Sequence, residues 1–256
     1  MMKRIVFLFL LCSFALGAQN NLPFKKGESL TYQVSYGLVN AGIAKLELKK
    51  EFLDGRNYLH IVGTGVTTGI TDFFFKVEDR YESYFDPETL RPYRFIRKIK
   101  EGGHTKDKEI YFDFMKEEAK VINHKKKITE YFPIEKDILD MLFSAYYFRA
   151  MDFTTLKEND VIDLKMFYDE TTYPFQLKVL GRELVKTKFG KISCLKVIPL
   201  VERGRIFKER ESLTLWFSDD ENKIPIKLKA SILVGSIDME LENYSGLAHP
   251  RSTIFN

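Results

Sequence analysis

The stretch 137–152, "DILDMLFSAYYFRAMD", is predicted to form a helix within a chain otherwise patterned as strands. Apolar side chains cover nearly the whole helical circumference, and only Asp140, Ser144 and Arg149 interrupt them. A helix that is apolar on nearly every face must be surrounded by protein or by an apolar ligand. Asp137 is predicted to be its N-cap, because a carboxylate there accepts hydrogen bonds from exposed backbone amides. The sequence therefore predicts one buried helix.

Apolar and charged residues alternate with a period of two through most of the chain from Ser29 onward. Examples are "LTYQVSY" and "AKLELK" before the helix, and "VIDLKMFY" and "IPIKLKASI" after it. Short turns such as Asp54-Gly55 separate these runs, and strands joined by short turns pair antiparallel. The predicted fold class is therefore mostly β. We expect a single large curved antiparallel sheet, an open barrel or clam, wrapped around one central α-helix.

Residues 1–18 are predicted to form a signal peptide that is cleaved. Lys3 and Arg4 precede an apolar run from Ile5 to Leu16 that is too short to span a bilayer, and the small residues of "ALGAQ" follow it. This pattern predicts a periplasmic or secreted protein, with no transmembrane segment in the mature chain.

The mature chain, residues 19–256, is predicted to fold as a single mostly β domain with its core at about 22–244. Its acidic and basic residues are interspersed, and the formal net charge of the whole sequence is only +4. A nucleic-acid partner would need a strongly basic face, so we expect no nucleic-acid binding. Cleavage removes Cys12 and leaves Cys194 as the only thiol, so the core and not a disulfide must stabilise the fold.

Motifs for enzymatic chemistry are absent from the sequence. It has no Gly-x-Ser-x-Gly elbow, no glycine-rich phosphate loop and no His-Glu-x-x-His helix. The four histidines are scattered without ligand spacing, so we predict no metal and no cofactor. Asp219-Asp220 is interpreted as a turn and not as a cation site. Cys194 is interpreted as a buried, inert thiol unless a histidine lies near it in space. A protein without enzymatic activity is favoured.

Two interpretations of the helix remain open: it is pure core, or it lines a cleft that holds an apolar guest. Burial of about ten methylenes at roughly 0.8 kcal/mol each would supply on the order of 8 kcal/mol before association costs, which suffices for micromolar binding. Arg149 is expected to bind a carboxylate or backbone carbonyls, with a ligand headgroup as the alternative. The candidate ligand-binding residues are Phe73, Phe74, Phe75, Tyr146, Tyr147, Phe148, Arg149 and Trp216, with no catalytic residue among them.

Three further stretches carry a resemblance to a known family. The first is "KGESLTYQVSYGLVNAGIAKLEL", with matching residues Gly27, Glu28, Tyr32, Val34, Ala41 and Gly42. The second is "EKDILDMLFSAYYFR", with matching residues Asp137, Leu139, Tyr147 and Arg149. The third is "LWFSDDENKIPIKL" followed by "GSI". Together they resemble the exported bacterial proteins grouped as domain-of-unknown-function family 3108. The resemblance implies export and supplies no catalytic residue.

Two functional hypotheses follow. The first is a non-enzymatic periplasmic protein of the cell envelope that binds or carries an apolar or lipid-like ligand between sheet and helix. By fold analogy alone, the expected architecture is similar to the lipoprotein carriers and receptors of the bacterial envelope. The alternative is a structural or assembly factor that recognises an envelope protein through a sheet edge or face. An enzyme is the third hypothesis, which would need a catalytic constellation that the sequence does not display.

Overall fold

The computed structural model describes residues 21–200, 212–232 and 234–250, so the predicted signal peptide lies outside the described residues. The helices are α1 (Gly69–Phe74), α2 (Met141–Ala150) and a 3-10 turn (Phe153–Thr155). The strands are β1 (Ser29–Tyr36), β2 (Val39–Leu53), β3 (Arg56–Thr67), β4 (Glu78–Asp86), β5 (Arg91–Glu101), β6 (His104–Asp113), β7 (Glu118–Asn123), β8 (Ile128–Pro133), β9 (Ile138–Leu139), β10 (Val161–Tyr168), β11 (Thr171–Thr187), β12 (Gly190–Leu200), β13 (Leu213–Ser218), β14 (Pro225–Ser231) and β15 (Ser236–Ser245).

All fifteen strands belong to one sheet, in the order β8-β7-β6-β5-β4-β3-β2-β1-β15-β14-β13-β12-β11-β10-β9. The first and last strands therefore meet in the middle of the sheet, and β8 and β9 form its edges. The prediction of a mostly β protein with one large sheet is confirmed. The prediction of purely antiparallel pairing is wrong for β9 and β10, which pair parallel because α2 supplies the crossover that a parallel pair needs.

The sheet curls back on itself. Phe112 on β6 and Phe167 on β10 lie with their ring centroids 6.1 Å apart. Eleven strand spacings separate β6 from β10 in the sheet order, which would place them about 50 Å apart in a flat sheet. Ion pairs of Arg97 with Asp169 and of Lys108 with Glu170 join the same two regions. The sheet is therefore open in its hydrogen bonding but closed by side-chain contacts.

Helix α2 begins one turn later than predicted. Asp140 is its N-cap, and its carboxylate accepts from the backbone amides of Leu142 and Phe143 at 2.9 and 2.8 Å. The prediction of Asp137 as the N-cap is wrong, because the two residues after it are extended and pair with β10. Asp137 instead forms an exposed ion pair with Lys165 at 3.1 Å.

The aromatic side chains of α2 contact strands on both halves of the sheet. Phe143 stacks on Phe85 of β4 with the ring centroids 4.4 Å apart. Phe148 meets Phe217 of β13 edge-on at 5.0 Å. These four rings are fully or almost fully buried, so α2 contributes to the core on both of these sides. Among the described residues, neither helix has the length and apolar character needed to cross a membrane.

A buried ion pair holds the C-terminal end of α2. The side chains of Arg149 and Glu28 are 1% and 0% exposed, and two guanidinium nitrogens donate to the two carboxylate oxygens at 2.7 Å each. Arg149 also donates to the carbonyl oxygen of Asn222 at 3.0 Å, and the Tyr146 hydroxyl donates to Glu28 at 3.2 Å. Burial opposes the charge on Arg149, but Glu28 beside it raises the pKa of the guanidinium above its ordinary value. Arg149 thus binds a carboxylate and carbonyls, as its sequence setting predicts.

Removal of either partner of this pair leaves an uncompensated buried charge. We therefore expect Glu28→Gln or Arg149→Met to lower the free energy of unfolding by about 3–5 kcal/mol, measured by urea denaturation. The partly exposed pair Lys45–Glu47 offers a matched control, since its side chains are 42% and 35% exposed and Glu47→Gln should cost less than about 1 kcal/mol. Equal costs for the fully buried and the partly exposed pair would contradict this account.

Asp140 should make stability depend on pH. Burial raises the pKa of Asp140 to about 7, although the Ser83 hydroxyl and the two capped amides favour its charged form. In the unfolded chain the pKa of an aspartate is about 3.9. Between about pH 4 and pH 7 the folded state therefore binds more protons than the unfolded state, and the free energy of unfolding falls as pH rises. Asp140→Asn keeps the capping oxygen without this titration, and we expect a flatter pH profile in urea denaturation. If the unaltered protein and Asp140→Asn have parallel pH profiles, Asp140 is not the group that makes stability depend on pH. Asp140→Ala loses the helix cap and should lower the free energy of unfolding by about 1 kcal/mol.

Candidate functional site

An open cleft of about 770 Å³ lies at the end of the sheet that carries the β2–β3, β4–β5 and β6–β7 turns. Its lining includes four tyrosines, four cationic side chains and four carboxylates. We call it the tyrosine cleft, after the residues Arg56, Tyr58, Arg91, Tyr93, Tyr111, Lys120 and Tyr131.

Strand register brings these side chains to one face of the sheet. Arg94, Tyr111, Lys120 and Tyr131 lie directly opposite one another on four successive strands, β5 to β8. Directly opposite residues of antiparallel strands project from the same face. A shift of register between β4 and β5 leaves Tyr93 without a direct partner on β4, and such a bulge redirects a side chain. Tyr93 accordingly reaches the ring of Tyr111 on the same face.

The rings form a continuous aromatic surface. Tyr58 and Tyr93 stack with centroids 4.5 Å apart and planes 14° apart, and Tyr93 meets Tyr111 edge-on at 6.0 Å. The Lys120 ammonium lies 5.9 Å from the centroid of Tyr111. Burial raises the pKa of Tyr58, Tyr93 and Tyr111, so the phenols stay neutral near pH 7.

Most acidic side chains of the cleft are already bound by protein donors. Asp54 accepts from the Tyr93 hydroxyl, and Asp86 accepts from the backbone amide of Glu88 at 2.8 Å. Asp113 accepts from the amide of Lys116 at 3.0 Å and forms an ion pair with its side chain at 3.2 Å. Hydrogen bonds to the Lys116 backbone and side chain lower the pKa of Asp113. Asp54 and Asp86 are thus held by neutral donors, whereas Asp113 is paired with a cation.

Three cations of the cleft lack such partners. Within residues 21–200, 212–232 and 234–250, Arg56, Arg91 and Lys120 form no ion pair with a carboxylate. Arg91 instead lies 5.1 Å from the centroid of the Phe114 ring. Glu118 is the one lining carboxylate without a described partner. The tyrosine cleft therefore presents three cations without an ion-pair partner beside aromatic surface, and its lining as a whole contains four cationic and four carboxylate side chains.

A buried charge cluster adjoins this face. His60 lies 2.7 Å from a carboxylate oxygen of Glu82 and stacks on Tyr84 with ring centroids 3.9 Å apart. The hydrogen bond with His60 lowers the pKa of Glu82 to about 2, against the opposing effect of burial and with help from Arg80. These residues are brought together only by the register of β3 with β4. The position of His60 in the sequence therefore could not predict the cluster. We interpret it as a stabilising network, since no nucleophile belongs to it.

The eight predicted ligand-binding residues do not share a cleft with one another. Phe148 and Arg149 are fully buried, Tyr146 is 1% exposed, and Tyr147 is partly buried against the same core. Phe24 packs against Tyr146 with ring centroids 5.0 Å apart. The part of α2 assigned to ligand binding thus contacts protein.

The other predicted residues lie elsewhere. Trp216 is buried in a core cluster on the second half of the sheet, and its indole N–H donates to Glu183. Phe73, Phe74 and Phe75 lie on and beside α1 and are 86%, 76% and 53% exposed. The tyrosine cleft contains none of the eight. Sequence analysis missed the cleft residues because they come from separate strands with no recognisable linear spacing.

Two residues considered for chemistry have structural roles. Cys194 is fully buried, and burial raises its pKa to about 12, so its thiol is not a nucleophile at neutral pH. Asp220 accepts from the backbone amides of Asn222 and Lys223 at 3.1 and 3.0 Å, as expected for a turn. In the described part of the chain, no cluster of three or more His, Cys, Asp or Glu side chains is placed to hold a metal ion.

Comparison with solved structures supports the fold. The chain is similar to a β-barrel-like protein of domain of unknown function DUF1849 from Brucella abortus, with a TM-score of 0.59 and 11% sequence identity, over 85% of this chain and 96% of that one. A DUF1089 family protein from Pseudomonas aeruginosa aligns over 88% of this chain and 95% of that one at 8% identity, and its TM-score of 0.33 is too low to indicate a shared fold.

Sequence comparison gives the family and no activity. No curated protein matches the chain. The family model described as "Protein of unknown function (DUF3108)" matches residues 31–242, which is most of the sequence. The resemblance noted from the three sequence stretches is thereby confirmed, and the chain belongs to the DUF3108 family.

Proposed function

We propose that this DUF3108 protein is a non-enzymatic binding protein of the bacterial cell envelope, periplasmic or secreted, that holds an anionic, lipid-like ligand in the tyrosine cleft. The observation that carries the proposal is the proximity of stacked tyrosine rings to three cations that form no ion pair with a described carboxylate. The cleft volume of about 770 Å³ lies within the usual range for small-molecule sites. The signal-peptide pattern of residues 1–18 supports the location.

The cleft matches both halves of an amphiphile. Guanidinium and ammonium groups such as Arg91 and Lys120 form charge-assisted hydrogen bonds with phosphate or carboxylate oxygens. The neighbouring rings of Tyr93, Tyr111 and Tyr131 offer apolar surface to a hydrocarbon. Because the cations lie at an open surface, a ligand can reach them without rearrangement of the core.

This proposal moves the ligand away from the space between sheet and helix. We propose that the curled sheet surrounds α2, which is supported by the contacts of the helix with β4 on one side and β13 on the other. Phe143 and Tyr146 fill the space beneath the helix together with Phe85 and Phe24. An interior ligand would have to displace these rings, whereas the tyrosine cleft is open.

Charge recognition can be tested with two probes, decyl phosphate and decyl maltoside, kept below their micelle concentrations. We expect isothermal titration calorimetry to show decyl phosphate binding more tightly, because only it can pair with Arg91 and Lys120. Arg91→Gln/Lys120→Gln should weaken decyl phosphate at least about tenfold, since each charge-assisted hydrogen bond contributes roughly 1.5–3 kcal/mol, and leave decyl maltoside unchanged.

The matched control is Lys98→Gln/Lys229→Gln, which removes two exposed lysines outside the cleft and should change neither affinity. Equal binding of the two probes by the unaltered protein would disprove an anionic ligand. Equal losses in the cleft variant and the control would disprove the location.

The alternative function, recognition of an envelope protein through a sheet edge, has its own observation. Strand β8 is an edge of the sheet, and its Ile128 and Tyr131 are 44% and 58% exposed. An edge strand presents unpaired backbone groups to which an extended segment of a partner can add as a further strand.

Strand addition predicts that a partner protects β8. Amide hydrogen exchange of residues 128–133 should slow at least about tenfold when the partner is bound, because its backbone would pair with the open edge. Residues 225–231 of β14, in the interior of the sheet, serve as the internal control and should not change. A partner that leaves residues 128–133 unprotected would rule out the edge as its site.

A further inference from the structure

The segment Thr67–Val77 forms an exposed apolar projection at the end of β3 and β4 opposite the tyrosine cleft. Four of its side chains are largely exposed: Ile70 at 66%, Phe73 at 86%, Phe74 at 76% and Phe75 at 53%. Single exposed apolar residues are ordinary, but a contiguous group of this kind marks an interaction surface. We call this segment the phenylalanine loop.

Hydrogen bonds fix the base of the phenylalanine loop. The Thr67 hydroxyl donates to the Asp72 carboxylate at 2.8 Å and accepts from the backbone amide of Val77 at 2.8 Å. The amide of Thr68 donates to the carbonyl oxygen of Ala41 on β2 at 3.0 Å. The two ends of the loop are thus joined to each other and to the sheet, so exposure of the rings is built into the fold.

The apolar surface continues along the same end of the sheet. Leu38 and Val39, at the β1–β2 turn, are 104% and 49% exposed, and Val234 is 73% exposed. The Tyr36 hydroxyl donates to the carbonyl oxygen of Val234 at 2.8 Å, which joins the β14–β15 turn to this surface. These residues and the phenylalanine loop together form an apolar rim.

The shape of the loop distinguishes between possible occupants. The rings of Phe73 and Phe74 pack edge to face, with centroids 5.4 Å apart and planes at 89°, and both remain largely exposed, so they form a projecting tip and not a groove. A lipid bilayer accepts a convex apolar tip at its interface, where aromatic rings are favoured, without a matching cavity.

The charges at the base of the loop fit the same occupant. Lys76 and Lys100 both pair with Glu78, at 2.8 and 3.2 Å, so the positive charge there is partly neutralised. Their side chains are 61% and 69% exposed, and long lysine side chains can reach lipid headgroups while the rings insert. A strongly anionic surface is therefore not required for binding.

We propose that the phenylalanine loop and the adjoining apolar rim dock on a lipid bilayer surface. The rings of Phe73 and Phe74 insert at the level of the headgroups, and the bilayer contacts the end of the sheet opposite the tyrosine cleft. This inference stands on exposure and loop geometry and does not depend on the ligand proposed for the cleft.

Vesicles of dioleoylphosphatidylcholine provide the test with the full chain. In flotation assays, Phe73→Ser/Phe74→Ser should lower the partition coefficient about a hundredfold, roughly tenfold for each ring withdrawn from the interface. The control Phe52→Ser alters a side chain that is 68% exposed at the other end of β2 and should bind as the unaltered protein does. Circular dichroism and thermal melting verify that both variants fold, which is expected because the altered side chains are exposed.

A local probe separates this site from other modes of attachment. In Phe74→Trp, vesicles should shift the added tryptophan emission to shorter wavelength, and 1 M NaCl should not reverse the shift, whereas Phe52→Trp should show none. Attachment through the apolar N-terminal run would leave the emission at residue 74 unchanged and would overturn the proposal. Self-association through the loop, seen as a dimer by native mass spectrometry that Phe73→Ser/Phe74→Ser abolishes, together with no binding to vesicles, would also overturn it.

Discussion

Glu28 and Arg149 are two opposite charges with no access to water, and several parts of the fold meet at them. Glu28 lies just before β1, Arg149 lies in the last turn of α2, and the carbonyl of Asn222 that completes the site lies between β13 and β14. A buried charge is tolerated only when its partner and its hydrogen bonds are in place, so the pair links three distant segments of the chain. Its geometry can be satisfied only once the sheet has brought β1, β13 and β14 near the end of the helix.

The curl of the sheet provides that proximity. Contacts between β6 and β10 close two regions that are far apart in the strand order, and the seam carries both aromatic packing and ion pairs. The resulting layout gives the two ends of β3 and β4 different surfaces. Cations and tyrosine rings lie at one end, and the phenylalanine loop lies at the other. The proposed ligand site and the proposed membrane-docking surface are compatible on one body because the strands hold them apart.

Much of the fold could be predicted from local patterns. Period-two alternation predicted the strands, and the apolar run around Tyr146 predicted a buried helix, since both signals depend on neighbouring residues alone. The N-cap was misplaced because Asp137 and Asp140 are equally good capping residues in isolation, and the choice depends on whether Ile138 pairs with β10. The parallel pair of β9 and β10 was missed for the same reason, since a two-residue strand has no periodicity.

The candidate ligand-binding residues differ in burial, and their sequence context does not predict that difference. Phe148 and Phe73 belong to similarly aromatic stretches, yet one is buried and the other is 86% exposed. By itself the sequence determined the strand content, the buried helix and membership of the family, because these follow from local chemistry and matched motifs, whereas export stays a prediction from the N-terminal pattern. Only the tertiary structure decided that the helix packs against protein, that the tyrosines converge on one cleft and that Arg149 pairs with Glu28. Each of those outcomes depends on strand register and sheet curvature, which bring together residues far apart in the chain.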